Sequence, residues 1–250
     1  MNPAYAYLYD EFLNDRRFER EISRLEAELA QRGINGRVAR TALFRHAKDQ
    51  AEDLVRGGAK NLILVGDDRT VEKLMWFLPD LEVTIGFIPL AKASKIADWL
   101  GIPIGLASVD TIGARFVEQL DVGRFGDRYF LTEAVLPATD ATLDVEGRFR
   151  IQPAAGGSIR IQNLSAAGDS KDGKLEASVI VEGQKSRWSI GKKKTPETRV
   201  LLAHGSITST QPVDAIVDGQ VLNGFLFKIE AVPAKLRFIT GRRGKEGLRG

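Results

Sequence analysis

The chain has no cysteine and only two histidines, His46 and His204, among its 250 residues. A disulfide framework and a thiolate metal site are excluded, and a zinc centre built on histidines has too few ligands. No apolar run approaches the roughly 20 residues that a membrane-spanning helix needs. Residues 1–15 lack a basic stretch followed by an apolar block, so no secretory leader is read there. A cytoplasmic protein is expected, with peripheral attachment at the inner membrane surface as the alternative. Charge of one sign is also scarce: 36 Lys and Arg against 33 Asp and Glu leave a net +3. The densest basic clusters are Lys192-Lys193-Lys194 and Arg242, Arg243, Lys245 and Arg249. They have no interleaved aromatics, so nucleic acid is not expected as a partner. Such runs read as solvated loops or as contacts to an anionic lipid surface.

What is present is the composition of a globular protein, 43% hydrophobic and 28% charged, in a length that supports one large core or two smaller ones. The first half alternates strand and helix. Apolar runs over 5–8, 61–65 and 83–88 read as strands, and a further strand precedes Thr41. Helical spacing appears over 15–32, 47–56, 71–78, 92–100 and 108–118. This alternation predicts a parallel sheet with helices on both faces. Near Leu120 the period changes to two. Alternating runs at 149–151, 158–161, 177–181, 199–202 and 225–232, punctuated by Asp-Gly and Asn-Gly pairs, predict an antiparallel β-sandwich. The expected division is an α/β nucleotide-binding-like domain over 1–118, a β-sandwich domain over 119–240 and a disordered basic tail over 241–250.

The most informative segment is Gly66-Asp67-Asp68-Arg69-Thr70. It joins a buried strand to a helix, the kind of junction that offers backbone N–H groups to a phosphate. Glycine at such a turn permits φ > 0 and close approach of phosphate oxygens. Here Asp67 and Arg69 put side chains in the turn. A carboxylate at Asp67 opposes an anion, and Arg69 would resist a left-handed conformation by about 1 kcal/mol or more.

This turn and several segments C-terminal to it resemble the diacylglycerol kinase and bacterial lipid kinase family. That family carries Gly-Gly-Asp-Gly-Thr here, and Gly66, Asp68 and Thr70 match it. Pro89-Leu90-Ala91-Lys92-Ala93-Ser94-Lys95, then Ala97 and Leu100-Gly101-Ile102-Pro103, resembles its Pro-Leu-Gly-Thr-Gly-Asn-Asp segment and the Leu-Gly-Ile-Pro that closes it. Leu120-Asp121-Val122-Gly123-Arg124, Tyr129-Phe130-Leu131 and Asp172-Gly173-Lys174-Leu175 come next in order. Val217-Asp218-Gly219-Gln220 stands at the family's Asp-Gly-Glu, and Val232-Pro233-Ala234-Lys235-Leu236-Arg237 matches its Pro-Ala-x-Leu-Arg ending. The resemblance runs from about Thr41 to Phe238. Tyr9-Asp10 stands where the family has Asn-Pro.

The resemblance implies the two-domain lipid kinase architecture and, for an active member, ATP with Mg²⁺ and a lipid hydroxyl as acceptor. The implied nucleotide contacts are Thr41, Gly66, Asp67, Asp68, Arg69, Thr70, Lys92 and Lys95. The implied catalytic positions are Asp68 and Gln220, the latter at the place of the general base. Asp172, with Asp169 as a second acid, stands where some members hold a structural Mg²⁺; read from the residues alone, Asp172-Gly173 is a turn. The departures are concentrated at the ligand-facing positions. Gln220 has an amide that takes up no proton at physiological pH, and loss of a general base costs ~10²–10⁴ in rate. Asp67, Asp68, Arg69, Lys92 and Lys95 together carry one net positive charge, which favours an anionic ligand. The expected function is that of a diacylglycerol kinase-like pseudokinase with a binding or regulatory role. Two alternatives stay open: an active ATP-dependent lipid kinase, and a peripheral protein that binds anionic lipid without turning it over.

Overall fold

The computed structural model describes residues 4–41, 47–90, 93–153, 156–164, 171–180 and 197–241. Their contacts divide into two compact units, one made of the residues up to 120 together with those from 235 onward, the other Asp121–Ala234.

The first unit is built by β1 (Tyr5–Tyr9), α1 (Glu19–Gln31), β2 (Arg37–Arg40), α2 (Ala47–Arg56), β3 (Asn61–Gly66), α3 (Asp68–Leu74), β4 (Thr84–Pro89), α4 (Lys95–Trp99) and α5 (Ser108–Ala114). The strands lie in the order β4-β3-β1-β2 and all pair in parallel. Every residue of β1, β3 and β4 is buried, which is why these segments read as continuous apolar runs rather than alternating ones. The helical spacing in α1 places Ile22, Leu25 and Leu29 in the core with Tyr5, Tyr7 and Tyr9. Burial pushes the Tyr7 and Tyr9 phenols far up from their ordinary range. α1, α4 and α5 are shorter than the spacing predicts, and α3 is shifted towards the N-terminus. α1 covers only Glu19–Gln31, α3 starts at Asp68 because Asp67 caps it, α4 begins only at Lys95, and α5 stops at Ala114, where Arg115 takes a left-handed φ of 51°.

The second unit contains β6 (Arg128–Phe130), β7 (Glu133–Leu136), β8 (Thr142–Val145), β9 (Phe149–Ile151), β10 (Ser158–Gln162), β11 (Leu175–Ile180), β12 (Glu197–Leu202) and β13 (His204–Val217), with most of β5 (Val117–Phe125) and β14 (Gln220–Ile239). These strands pair antiparallel. The core is formed by inward residues such as Phe125, Phe130, Leu143, Ile159, Ile161, Ala177, Ile207 and Phe227.

In the second unit the described strands follow the order β12-β11-β10-β7-β13-β14, with β8 also joined to β13. β14 is 20 residues long, and its Phe238 pairs in parallel with Ile85 of β4. The segment expected to end the second domain at 240 divides at Lys235, and the residues after it count with the first unit. The described chain is a mixed α/β fold. No helix among the described residues is long and apolar enough to cross a membrane. The clusters at Lys192–Lys194 and Arg242 to Arg249 lie outside the described residues.

Candidate functional site

The parallel sheet brings several of the sequence-selected residues to the C-terminal ends of its strands, the end at which open α/β sheets bind ligands. Thr41 follows β2, Asp10 follows β1, the Gly66–Thr70 turn follows β3, and Ser94 and Lys95 come after β4. Thr41 is buried, with its N–H and hydroxyl both donating to the Tyr9 carbonyl, at 2.9 and 3.2 Å.

The turn after β3 is closed by its own side chains. Asp67 is the N-cap of α3: its carboxylate accepts the Thr70 N–H at 3.0 Å, and the Thr70 hydroxyl accepts the Asp67 N–H at 2.9 Å. This is a reciprocal capping box. No residue from Gly66 to Thr70 has a positive φ, so the expected strain at Arg69 does not arise. Arg69 is an exposed helical residue. Glycine at position 66 serves packing. A Cβ there would lie 2.1 Å from Thr70 Oγ1 and 3.1 Å from Asp10 Cβ, so Thr70 occupies the room that a phosphate oxygen would need.

Thr70 also donates its hydroxyl proton to Asp10 Oδ2 at 2.8 Å, and Lys73 Nζ lies 2.5 Å from the same oxygen. Asp10 is 4% exposed. A buried carboxylate with a lysine and a hydroxyl on one oxygen is a charge-neutral internal clamp. Sequence reasoning noted Asp10 only as a departure from Asn-Pro and passed over Lys73, because the pairing joins two elements distant in sequence.

Asp68 faces the next loop. Its carboxylate accepts the Ser94 hydroxyl and, at 2.8 Å, the Lys95 N–H. Ser94 Oγ in turn accepts the Ala97 N–H at 2.9 Å as the N-cap of α4. Asp68 thus ties the two motif segments together, and Ser94 is a partner that sequence reasoning did not select. Beside them lies a cavity of about 630 Å³ lined by Asp68, Ser94, Lys95, Asp98, Ile102 and Ile104, among others. Two of its side chains are acids and one is a lysine. Ala91 and Lys92 lie outside the described residues, as does Asp169.

In the second unit Asp218 and Gly219 form the turn of the β13–β14 hairpin, with φ of 43° and 75°. Asp218 is nearly fully buried. Its Oδ1 accepts the Thr132 N–H at 3.0 Å, the Thr132 hydroxyl at 2.6 Å and the Glu133 N–H at 3.1 Å, while Oδ2 accepts the Leu131 N–H at 2.7 Å. Burial pushes the carboxyl up from its ordinary value, and these four donors pull in the opposite direction. Gln220 opens β14, half-buried, and its Oε1 accepts from Arg128 Nη1 at 2.9 Å. Asp172 is exposed, with its Oδ1 accepting the Lys174 N–H at 2.9 Å in a local turn. The neighbouring Gly173 N–H goes to the buried Asp121, which also accepts the Ala234 N–H at 2.8 Å. Among the described residues no group of three or more His, Cys, Asp or Glu is placed to hold a metal ion.

No family model matches this chain, and no curated protein matches it. Solved structures do. A diacylglycerol kinase from Bacillus anthracis str. Sterne superposes with a TM-score of 0.77 at 15% identity, over 96% of this chain and 97% of that one. A putative diacylglycerol kinase from the same organism gives 0.78 at 14%, over 97% and 99%. A further putative one gives 0.76 at 15%, over 95% and 97%. At such identities the likeness establishes the fold: this chain has the fold of the bacterial diacylglycerol kinases.

Proposed function

We propose that this chain keeps a diacylglycerol kinase fold without its phosphoryl-transfer chemistry, and acts as a binding or regulatory protein. One observation carries the reading. Three of the donors at the N-termini of α3 and α4 that would meet a phosphate are used internally: Thr70 N–H by Asp67, Lys95 N–H by Asp68 and Ala97 N–H by Ser94. A triphosphate would have to displace two carboxylates that already hold the loops together, and would meet their charge on approach. The residues present therefore fit ATP and Mg²⁺ poorly.

The position that the resemblance assigns to the general base supports the same reading. Gln220 offers an amide, held by Arg128, that takes up no proton. Asp218 is no substitute, because both of its oxygens are engaged by backbone and hydroxyl donors. Phosphoryl transfer depends on positioned phosphates and an oriented nucleophile, and both requirements are weakened here.

The test is calorimetric titration with ATP and Mg²⁺, together with transfer of radiolabelled phosphate to a panel of lipid alcohols including diacylglycerol. No transfer above background is expected. Robust Mg²⁺-dependent transfer that is abolished by Asp68→Ala would overturn the reading.

A further inference from the structure

Independently of the kinase question, we infer that the outer edge of β2 is a docking site for an acidic peptide that adds to the sheet as a strand. Among the described strands β2 pairs with β1 alone, at the end of the strand order. The Thr41 N–H points to Tyr9 of β1. Backbone groups alternate along a strand, so Arg37 and Ala39 also face β1, while the N–H and C=O of Val38 and Arg40 face outward. These are the groups an added strand would use.

Among the described residues the space beside this edge is open. A groove of about 620 Å³ is lined by Arg37, Val38, Ala39 and Arg40 on one side and by Gln50 and Leu54 of α2 on the other, with Asp53 at its rim. Four consecutive strand residues along one wall and a helix face along the other are the surroundings of a missing strand. Gln50 is 6% exposed, and its Oε1 is buried without a hydrogen-bond partner among the described residues. A buried acceptor of this kind is costly unless a donor reaches it, and a chain lying in the groove would bring donors.

Charge selects the occupant. Arg37 and Arg40 are exposed cations on the strand, with the Arg37 guanidinium over Gly57 and Arg40 5.4 Å from the Tyr9 ring. The one acid among the described lining residues, Asp53, is ion-paired with Arg56 at 2.8 Å. A second copy of this chain is disfavoured, since joining β2 to its own equivalent would bring four arginines and no carboxylate onto two four-residue strands. Arg37 and Arg40 lie on opposite faces of the strand, so they favour a partner strand with acids three residues apart, and Val38, 47% exposed, gives it an apolar contact.

The experiment uses the full chain and two fluorescent peptides, one repeating Glu-Val-Val, the other repeating Lys-Val-Val, so that charges fall on both faces of the strand, in an anisotropy titration at low and high salt. The Glu/Val peptide is expected to bind and the Lys/Val peptide not. Arg37→Glu combined with Arg40→Glu should weaken binding about tenfold, from two cross-strand charge pairs. Val38→Pro should abolish it while leaving the β1 pairing intact, because the N–H it removes faces outward. In the unmodified protein the peptide should slow hydrogen exchange at the Val38 and Arg40 amides. Unchanged exchange at those two amides, equal binding of both peptides, binding that survives the double charge reversal, or self-association through β2 would each overturn the inference.

Discussion

Replacing Asp218 tests how the β13–β14 hairpin is held. Asp218→Ala leaves four donors without their acceptor: three amides and the Thr132 hydroxyl. An orphaned buried donor costs about 1–3 kcal/mol, and water entering the space left by the carboxylate offsets part of the total. The left-handed φ of 43° adds about 1 kcal/mol for alanine, which lacks the local side-chain bonding that lets Asp and Asn visit that region. The expected loss is about 4–6 kcal/mol. Asp218→Asn should cost only about 2 kcal/mol. Its carbonyl can keep the three donors now on Oδ1, and the amide nitrogen opposes only the Leu131 N–H. Urea unfolding followed by far-ultraviolet circular dichroism, with hydrogen exchange at residues 131–133, measures both. The sign of the pH dependence comes from burial, which raises the folded carboxyl above the unfolded value near 3.8. The wild type therefore loses stability relative to the Asn variant as pH rises from about 3.8, and the gap between them narrows over that window. An Ala variant within ~1 kcal/mol of wild type, or an Asn variant as damaged as Ala, would refute the reasoning.

Lys73→Met should destabilise the first unit by about 1–3 kcal/mol, less than a fully buried pair would cost because Lys73 is one-third exposed; adding Asp10→Asn should restore most of the loss in a double-mutant cycle read by thermal melting. Gly66→Ala should cost about 1–3 kcal/mol through the clash with Thr70, with Gly66→Ala plus Thr70→Ser no better than the single variant, because Oγ itself is the clashing atom. Asp67→Ala should cost about 1 kcal/mol as a lost helix cap and should not produce lipid phosphorylation; appearance of Mg²⁺-dependent transfer in that variant would show that the cap alone masks a working site. Ultraviolet titration should find Tyr5, Tyr7 and Tyr9 still protonated above pH 10, since burial raises all three; the unfolded chain ionises first, so stability falls as pH rises past about 10 and their ionisation should coincide with alkaline unfolding.

Much of this molecule is legible in the order of its residues. The continuous apolar runs of β3 and β4 mark them as doubly covered parallel strands, because only a strand buried on both faces drops its polar alternation. The change to period two beyond Leu120 likewise announces antiparallel pairing, and the motif segments in order point to the fold that the solved structures share. Asp218-Gly219 and Asp172-Gly173 read as turns from residue type alone, since both residues tolerate the conformations that tight turns require. These are local properties, carried by the chemistry of neighbours in the chain.

The tertiary structure decided what the motif residues touch. Nothing in Gly66-Asp67-Asp68-Arg69-Thr70 says that Thr70 fills the room above Gly66, because that contact depends on the angle at which α3 leaves β3. Asp10 and Lys73 are 63 positions apart, and Asp68 meets Ser94 across 26. Such pairings are set by strand order, which brings β1, β3 and β4 side by side. The open edge of β2 has the same origin: the sequence Arg-Val-Ala-Arg specifies a strand, and only the sheet order leaves that strand without a second neighbour among the described strands. Sequence determined which segments are strands and helices through local periodicity. Long-range packing determined which backbone donors are already occupied, and therefore which surfaces are left to bind.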